Sequence, residues 1–314
     1  MKTDPLRIVF MGTPEFAVPS LHALARAGHH LAAVVTQPDR PKGRGRRLSA
    51  PPVKVAAEGL GLKVLQPTRL ADTALAAALA AARADFFAVV AYGQILPSAL
   101  LSLPPRGAVN VHASLLPRYR GAAPINWAII NRERQTGVTT MLMDTGLDTG
   151  DILMTAATPI AADDTAATLS ARLARMGAEL LVATLARLAA GELTPRPQDP
   201  AAATYAPLLT KADGRIDWRR PAEAVEALVR GLDPWPGAFT FCQGQRLKIW
   251  RAHPVPEAGR APAGTVLDGF SDELRVMTGR GAVCLDEVQG AAGKRLPVAA
   301  FLRGNPIAPG TVLG

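Results

Sequence analysis

The sequence predicts an α/β fold: an open, mostly parallel Rossmann-like sheet with helices on both faces, followed by an OB-like C-terminal β-barrel. Three observations carry this expectation. Strand-like and helix-like stretches alternate through residues 1–190, a proline-rich stretch interrupts them at 191–207, and short strand-like runs fill 208–314. Those ranges are the expected larger domain, linker and C-terminal domain.

LRIVFMG reads as a strand, PEFAVPSLHALARAG as a helix closed by Gly28, and HLAAVVTQ as the next strand, which together make a βαβ unit. KVLQP, DFFAVVAY, AVNVHA and TTMLMD continue the strands, with helical segments between most of them. Gly12 suits a tight strand-to-helix turn; FMGTPEF has one glycine where the GxGxxG fingerprint needs three, so dinucleotide binding is set aside. After an Ala-rich helix at 165–190, Pro195, Pro197, Pro200 and Pro207 favour an extended, semi-rigid linker. Beyond it GAFTFCQ, QRLKIWRA, GTVLD, LRVMTG and AVCLDEV are spaced as in a small barrel. Trp218, Trp235 and Trp250 lie in this half, as core anchors first and stacking platforms second. Near the end, Pro297 and Val298 interrupt a helix-opening pattern.

Composition excludes several classes. The 314 residues are 48% apolar, ordinary for a globular chain, and Arg83 and Asp85 break the longest apolar stretch well short of the ~18 residues of a membrane span. Asp4, Arg7 and Glu15 around the short IVFMG run argue against a signal peptide, so a cytoplasmic protein without membrane contact is expected. Cys242 and Cys284 lack CxxC spacing and should be free thiols. His29 and His30 are adjacent and HExxH is absent, so no metal is expected.

Chemistry concentrates at 110–150. PRGAVNVH follows a turn signal and reads as a short buried strand, on which Asn110 and His112 share a face while Val109 and Val111 pack on the other. Pro117 stops the strand, leaving the pair at its carboxyl edge, where open α/β sheets hold ligands. An amide can donate to a developing oxyanion, an imidazole can take a proton from an amine, and Asp148 can orient the imidazole. Taken singly, His112 could equally be a core histidine, Asn110 a strand-end residue and Asp148 a turn former.

NVHASLLPRYRGAAPI followed by GLDTGD resembles the signature of the folate-dependent formyltransferases. The likeness extends to RIVFMGTPEFAV, TQPDRPKGRGRRLSAPPVK at 36–54, VVAYGQILP at 89–97, TYAPLLTKADGRIDW at 204–218 and DPWPG at 233–237, nearly the whole chain in order. The resemblance implies that Asn110, His112 and Asp148 are the catalytic set. It implies folate contacts from Ser114, Leu115, Leu116 and Pro117 and from Gln94, Ile95 and Leu96, an apolar lining that suits a pterin ring; alone, Ile95, Leu96, Leu115 and Leu116 would read as core. The implied donor is 10-formyltetrahydrofolate, with no metal, and the implied acceptor is the amino group of initiator methionyl-tRNA, on a monomer. Another 10-formyltetrahydrofolate-dependent formyltransferase, or a hydrolase, is the alternative.

Charge supports a nucleic-acid partner. The net charge is +9, and only 14 of the 35 basic and 11 of the 26 acidic residues lie beyond 207, so the excess is mostly N-terminal. Its focus is RPKGRGRR, where Arg40, Lys42, Arg44, Arg46 and Arg47 are interleaved with glycines and free of acids. Such a run alone is more often a solvated loop; the resemblance implies that it contacts the acceptor end of the tRNA beside the active site.

Overall fold

The computed structural model describes residues 4–42, 47–256, 261–269 and 272–314. Two compact units divide the chain: Met1–Pro124 with Gln135–Pro159 and Ser170–Ala206, and Ile125–Arg134 with Ile160–Leu169 and Pro207–Gly314.

In chain order up to 206 the elements are β1 (Arg7–Gly12), α1 (Val18–Arg26), β2 (His30–Val35), β3 (Arg40–Lys42), β4 (Arg47–Ser49), α2 (Pro52–Gly59), β5 (Val64–Leu65), α3 (Thr73–Ala81) and β6 (Phe86–Val90). There follow α4 (Ser98–Leu101), β7 (Ala108–His112), β8 (Arg120–Gly121), α5 (Pro124–Ile130), β9 (Gln135–Leu142), β10 (Ile152–Pro159), α6 (Ala166–Ala189) and β11 (Tyr205–Ala206). The main sheet has the order β10-β9-β7-β6-β1-β2-β5, parallel from β7 to β5, with β9 and β10 antiparallel at one edge. It is the open, mostly parallel sheet the sequence predicts. β10 was not among the expected strands: ILMTAATP has little β-forming bulk, and pairing with β9 along its length makes it a strand.

Alternation along the strands builds a core on each face. Ile8, Phe10, Phe86, Ala88, Val90, Val109 and Val111 pack with Leu21 and Leu24 of α1, Val53 of α2 and Leu181 and Leu185 of α6. Val9, Met11, Phe87, Val89 and Ala108 pack on the other side with Leu75 and Leu79 of α3 and Leu100 of α4. Helices therefore cover both faces. Asn110 and His112 project to the second side, because Val109 and Val111 are committed to the first.

Gly177 in the middle of α6 sets how closely that helix approaches β7. A Cβ there would lie 2.8 Å from Val111 Cγ1, and a valine has no alternative rotamer to yield with cheaply.

The second unit carries α7 (Ala222–Gly231), β12 (Ala238–Cys242), β13 (Gln245–Val255), β14 (Leu274–Met277), β15 (Ala282–Gln289), β16 (Leu296–Pro297) and α8 (Val298–Gly304). Its five-stranded sheet runs β12-β13-β15-β14 with β16 also on β15, all antiparallel, the C-terminal domain of antiparallel strands that the OB-like expectation describes. GTVLD forms only isolated bridges, Thr265 to Val312 and Val266 to Val276. Pro297 does not prevent a helix. It occupies the N-cap of α8 with φ −56°, where a missing N–H costs nothing.

The sequence places a single break within 191–207, yet two upstream segments belong with the second unit. Asn126 Nδ2 donates to Gly231 O at 2.7 Å, Arg230 Nη1 to Asp164 O at 2.7 Å, and Ala167 N to Asp233 O at 3.3 Å. The proline-rich stretch is extended but far from free: Arg196 bridges Ile152, and β11 pairs with β8.

Gly177→Ala should destabilise the protein by about 1–3 kcal/mol in urea unfolding, although the same change at an exposed helix position gains up to about 1 kcal/mol. Unchanged or raised stability would show that α6 does not hold β7 through Val111.

Candidate active site

β7 lies between β6 and β9 and is buried along its length, so its backbone is fully engaged and its side-chain directions are fixed. Asn110 is 9% exposed and His112 6%. Among the described residues the Asn110 amide has no hydrogen-bond partner, and it is not among the sealed, unpartnered polar atoms, so it opens onto accessible space.

His112 has an acceptor facing each ring nitrogen, one within hydrogen-bond distance and one just beyond it. Nε2 lies 2.9 Å from Tyr119 O, and a carbonyl only accepts, so Nε2 carries a hydrogen. Nδ1 lies 3.6 Å from Asp148 Oδ2. Two acceptors facing the two ring nitrogens match the two N–H groups of an imidazolium.

Asp148 comes from the loop between β9 and β10, which folds back to His112. Its Oδ2 accepts the Gly121 N–H at 2.8 Å. The residue has φ +54°, a left-handed conformation that costs a non-glycine residue about 1 kcal/mol or more unless its surroundings impose it. Those surroundings are specific. Asp144 Oδ1 accepts from Gly146 N at 3.0 Å and from Thr149 Oγ1 at 2.7 Å, and Gly150 passes so close to the β9 backbone that a Cβ would meet Leu142 O at 1.7 Å. Gln198 Nε2 donates to Asp148 O at 2.9 Å and Gly150 O at 2.7 Å, while its Oε1 accepts from Arg120 Nη2 at 2.7 Å.

The segment after His112 turns tightly rather than entering a core of its own. Thr139 on β9, opposite His112, donates through Oγ1 to Ser114 O at 2.7 Å and accepts from Leu116 N at 3.1 Å. Ser114 Oγ donates to Arg118 O at 2.6 Å, and Thr204 Oγ1 accepts from Tyr119 N at 2.8 Å.

The expected folate residues divide by burial. Ser114 is sealed in that turn, Leu116 packs with Met141 and Ile152, and Leu96 belongs to the core cluster under α3 and α4. Gln94, Leu115 and Pro117 are half-buried, and Ile95 is 65% exposed. Both stretches follow the carboxyl ends of neighbouring parallel strands, β6 and β7. Open apolar surface at Ile95, in the loop after β6, and the open amide of Asn110 on the adjacent strand β7 are the kinds of floor and polar edge that a flat heterocycle needs.

Of the basic run, Arg40 is exposed, with Nη2 donating to Gln37 Oε1 at 2.7 Å. Lys42 and Arg47 lie on the β3–β4 ribbon, while Arg44 and Arg46 fall outside the described residues. The C-terminal sheet adds a face that the sequence reading passed over. Leu247 and Ile249 of β13 point inward, so Arg246, Lys248 and Trp250 alternate outward beside Phe239 and Phe241 of β12. Arg246 stacks 3.7 Å above Phe239, and Lys248 Nζ is 5.0 Å from the Trp250 ring. Burial, then the charges of Arg246 and Lys211, hold Lys248 below the usual lysine range. Trp218 is a core anchor donating to Thr240 Oγ1 at 3.0 Å, and Trp235 is 52% exposed.

Both cysteines are free thiols. The donors of His253, Cys284 and Asp286 form the one group of metal-ligand type among the described residues, within 4.8 Å of one another. His253 Nδ1 already pairs with Asp286 Oδ1 at 3.0 Å, and Arg251 Nε lies 3.9 Å from Oδ2 of that carboxylate. No helix among the described residues is long and apolar enough to cross a membrane.

Tyr119, Arg120, Gly121, Thr139, Gln198 and Thr204 were not anticipated as parts of the site. Tyr119, Arg120 and Gly121 stand inside NVHASLLPRYRGAAPI and Thr204 opens TYAPLLTKADGRIDW, but nothing in those strings assigns them a role. Thr139 and Gln198 lie outside every string that carries the family resemblance, and each of the six contributes through contacts made only on folding.

Comparison with known proteins places this chain among related ones. Residues 6–185 match the family model described as formyl transferase, and 208–306 match formyl transferase, C-terminal domain. The methionyl-tRNA formyltransferase of Citrifermentans bemidjiense is 52% identical over 309 residues, covering 98% of this chain and 96% of that one. That of Pelobacter propionicus is 54% identical over 307 residues, with 98% and 96% covered. Among solved structures, an N-formyltransferase from Helicobacter canadensis in complex with folinic acid and dTDP-3-aminofucose superposes with a TM-score of 0.67 at 18% identity, covering 93% of this chain and 100% of that one. HypX from Aquifex aeolicus in complex with tetrahydrofolic acid gives 0.66 at 20% identity, over 95% of this chain and 47% of that one. At these identities the two structures establish the shared fold.

Thr139→Val should cost about 1–3 kcal/mol in denaturant unfolding, because it leaves the buried Leu116 N–H unpaired and removes the donor to Ser114 O. A loss under about 0.5 kcal/mol would show that the turn after His112 is held by other contacts.

Proposed function

Because this chain belongs to the formyl transferase family, we infer that it transfers the formyl group of 10-formyltetrahydrofolate to the amino group of methionyl-tRNA. The observation that carries the reading is the open amide of Asn110 beside His112, itself held between Tyr119 O and Asp148 at the carboxyl end of β7.

10-Formyltetrahydrofolate supplies the formyl carbon and leaves as tetrahydrofolate. The exposed Ile95 and the half-buried Gln94, Leu115 and Pro117 receive the ring, with Ser114, Leu116 and Leu96 holding that lining from beneath. Asn110 Nδ2 donates to the formyl oxygen as the methionyl nitrogen adds to the carbon and charge builds on that oxygen. His112 joins it by exchanging its Tyr119 partner for the same oxygen. The attacking nitrogen loses a proton and the departing folate nitrogen gains one, so the transfer is proton-neutral overall. With both imidazole N–H groups engaged, the Asp148 carboxylate is the base that accepts and returns that proton. A carboxylate aligned on Nδ1 keeps the ring oriented through this exchange.

The acceptor is a polyanion, and the chain offers it cations at two places. Arg40, Lys42, Arg44, Arg46 and Arg47 lie along one stretch, and Arg246 and Lys248 lie among aromatic rings on β12 and β13. Burial first, and then the like charges of Arg246 and Lys211, lower the basicity of Lys248, and bound phosphates would offset the second of these. The physiological acceptor is the initiator tRNA and the reaction is cytoplasmic, where charged tRNA is found. A monomer suffices, because Asn110, His112 and Asp148 all come from one chain.

In single-turnover assays with 10-formyltetrahydrofolate and methionyl-tRNA, Asn110→Ala and His112→Ala should each lower the rate about 10²–10³-fold with the fold intact. Wild-type rates in both would overturn the assignment of the site. Arg44→Ala with Arg46→Ala should weaken tRNA binding and reduce the slope of log K against log salt by up to about 2, at roughly 0.9 per lost phosphate contact. An unchanged slope would remove this stretch from the tRNA interface.

A further inference from the structure

We propose that Gln198 is a positioning residue for formyl transfer, holding the Asp148 carboxylate against His112 from a segment whose sequence reads only as a proline-rich connection. The proposal rests on the role given above to Asp148.

The geometry is specific to a glutamine. Gln198 is 9% exposed, and its amide uses its full hydrogen-bonding capacity. Nε2 donates to Asp148 O at 2.9 Å and to Gly150 O at 2.7 Å. Oε1 accepts from Arg120 Nε at 3.1 Å and from Arg120 Nη2 at 2.7 Å, a guanidinium that is itself buried. One side chain thus grips both partners of the contact that presents the carboxylate. It holds the main chain of Asp148, and it holds the side chain of the residue preceding Gly121, whose N–H binds Asp148 Oδ2 at 2.8 Å.

Asp148 gains from such a grip because its left-handed backbone, φ +54°, is uncommon for a non-glycine residue, even though aspartate tolerates it better than most. Packing anchors the loop only at its start, where Met143 lies against the core; nearer Asp148, Leu147 is 49% exposed and Asp144 bonds only within the loop. Without the two Nε2–H donors the peptide at Asp148 is free to leave that conformation. The carboxylate then swings away from Nδ1 of His112, 3.6 Å distant, while the residues that receive the substrates stay in place. A displacement near 1 Å at a catalytic group costs about 10²-fold in rate. The loss therefore falls on the transfer step rather than on binding.

Gln198→Glu separates this role from a structural one, because the carboxylate still pairs with buried Arg120 but cannot donate to the two carbonyls. In assays with 10-formyltetrahydrofolate and methionyl-tRNA, Gln198→Glu should lower kcat about 10–100-fold and leave both KM values within about 3-fold. On an Asp148→Asn background it should add less than about a further 3-fold, since both changes disable one unit. A Gln198→Glu enzyme within about 2-fold of wild type, losses that multiply in the double variant, or a rise in KM at unchanged kcat would each overturn the proposal. Failure of Gln198→Glu and Gln198→Ala to fold would assign the residue to the fold instead. Wild-type rates for Asp148→Asn alone would bring down the reading of Asp148 itself, a result distinct from a normal Gln198→Glu beside an impaired Asp148→Asn.

Discussion

The site depends on one constrained carboxylate. Asp148 must lie under His112 Nδ1 while its own main chain sits in a left-handed conformation, and the two requirements are met by hydrogen bonds rather than by packing. Gly121 N–H holds the carboxylate, Gln198 holds the carbonyl, and Asp144 closes the loop on itself. Directional bonds fix an orientation where apolar contacts would fix only a position. In a setting where His112 and Asp148 are largely removed from water, that orientation decides what the imidazole can do, because electrostatic interactions there are stronger than in bulk solvent.

The sheet supplies the other half of the constraint. β7 is central and buried, so Val109 and Val111 lock one side of the strand and leave Asn110 and His112 no choice of direction. Gly177 lets α6 approach closely enough to make that lock tight. Beyond His112 the chain leaves the sheet at once, and Thr139 on the neighbouring strand ties the turn back down. A rigid strand end followed by a pinned turn lets short, polar segments carry chemistry without a hydrophobic core of their own.

Much of this was legible in the sequence because it rests on local rules. Period-two alternation in AVNVH places Asn110 with His112, and Pro117 ends the strand beside them. Gly28 after α1 has φ +80°, as its place after the helix suggests, and acid-free RPKGRGRR declares its charge without any structure. The remainder was not local. Gln198 acts on Asp148 across 50 positions and on Arg120 across 78, and Thr204 reaches Tyr119 across 85. A glutamine in a proline-rich stretch carries no periodicity, so nothing distinguished it from a solvated linker residue. β10 became a strand through its partner rather than its composition, and α8 formed because proline at an N-cap opens a helix that it would break one turn later. α7 was overlooked for another reason: Ala222, Val225, Leu228 and Val229 have helical spacing, but they lie among runs that read as strands.

The central claim is that Asn110, His112 and Asp148 move a formyl group onto an amine rather than onto water. The most direct measurement follows a label in the formyl carbon of 10-formyltetrahydrofolate when the protein is incubated with methionyl-tRNA. The account predicts that the label appears on the methionyl nitrogen in step with tetrahydrofolate release, and that folate turnover stops when the charged tRNA is omitted. Label recovered as free formate at the same rate with or without methionyl-tRNA would contradict it.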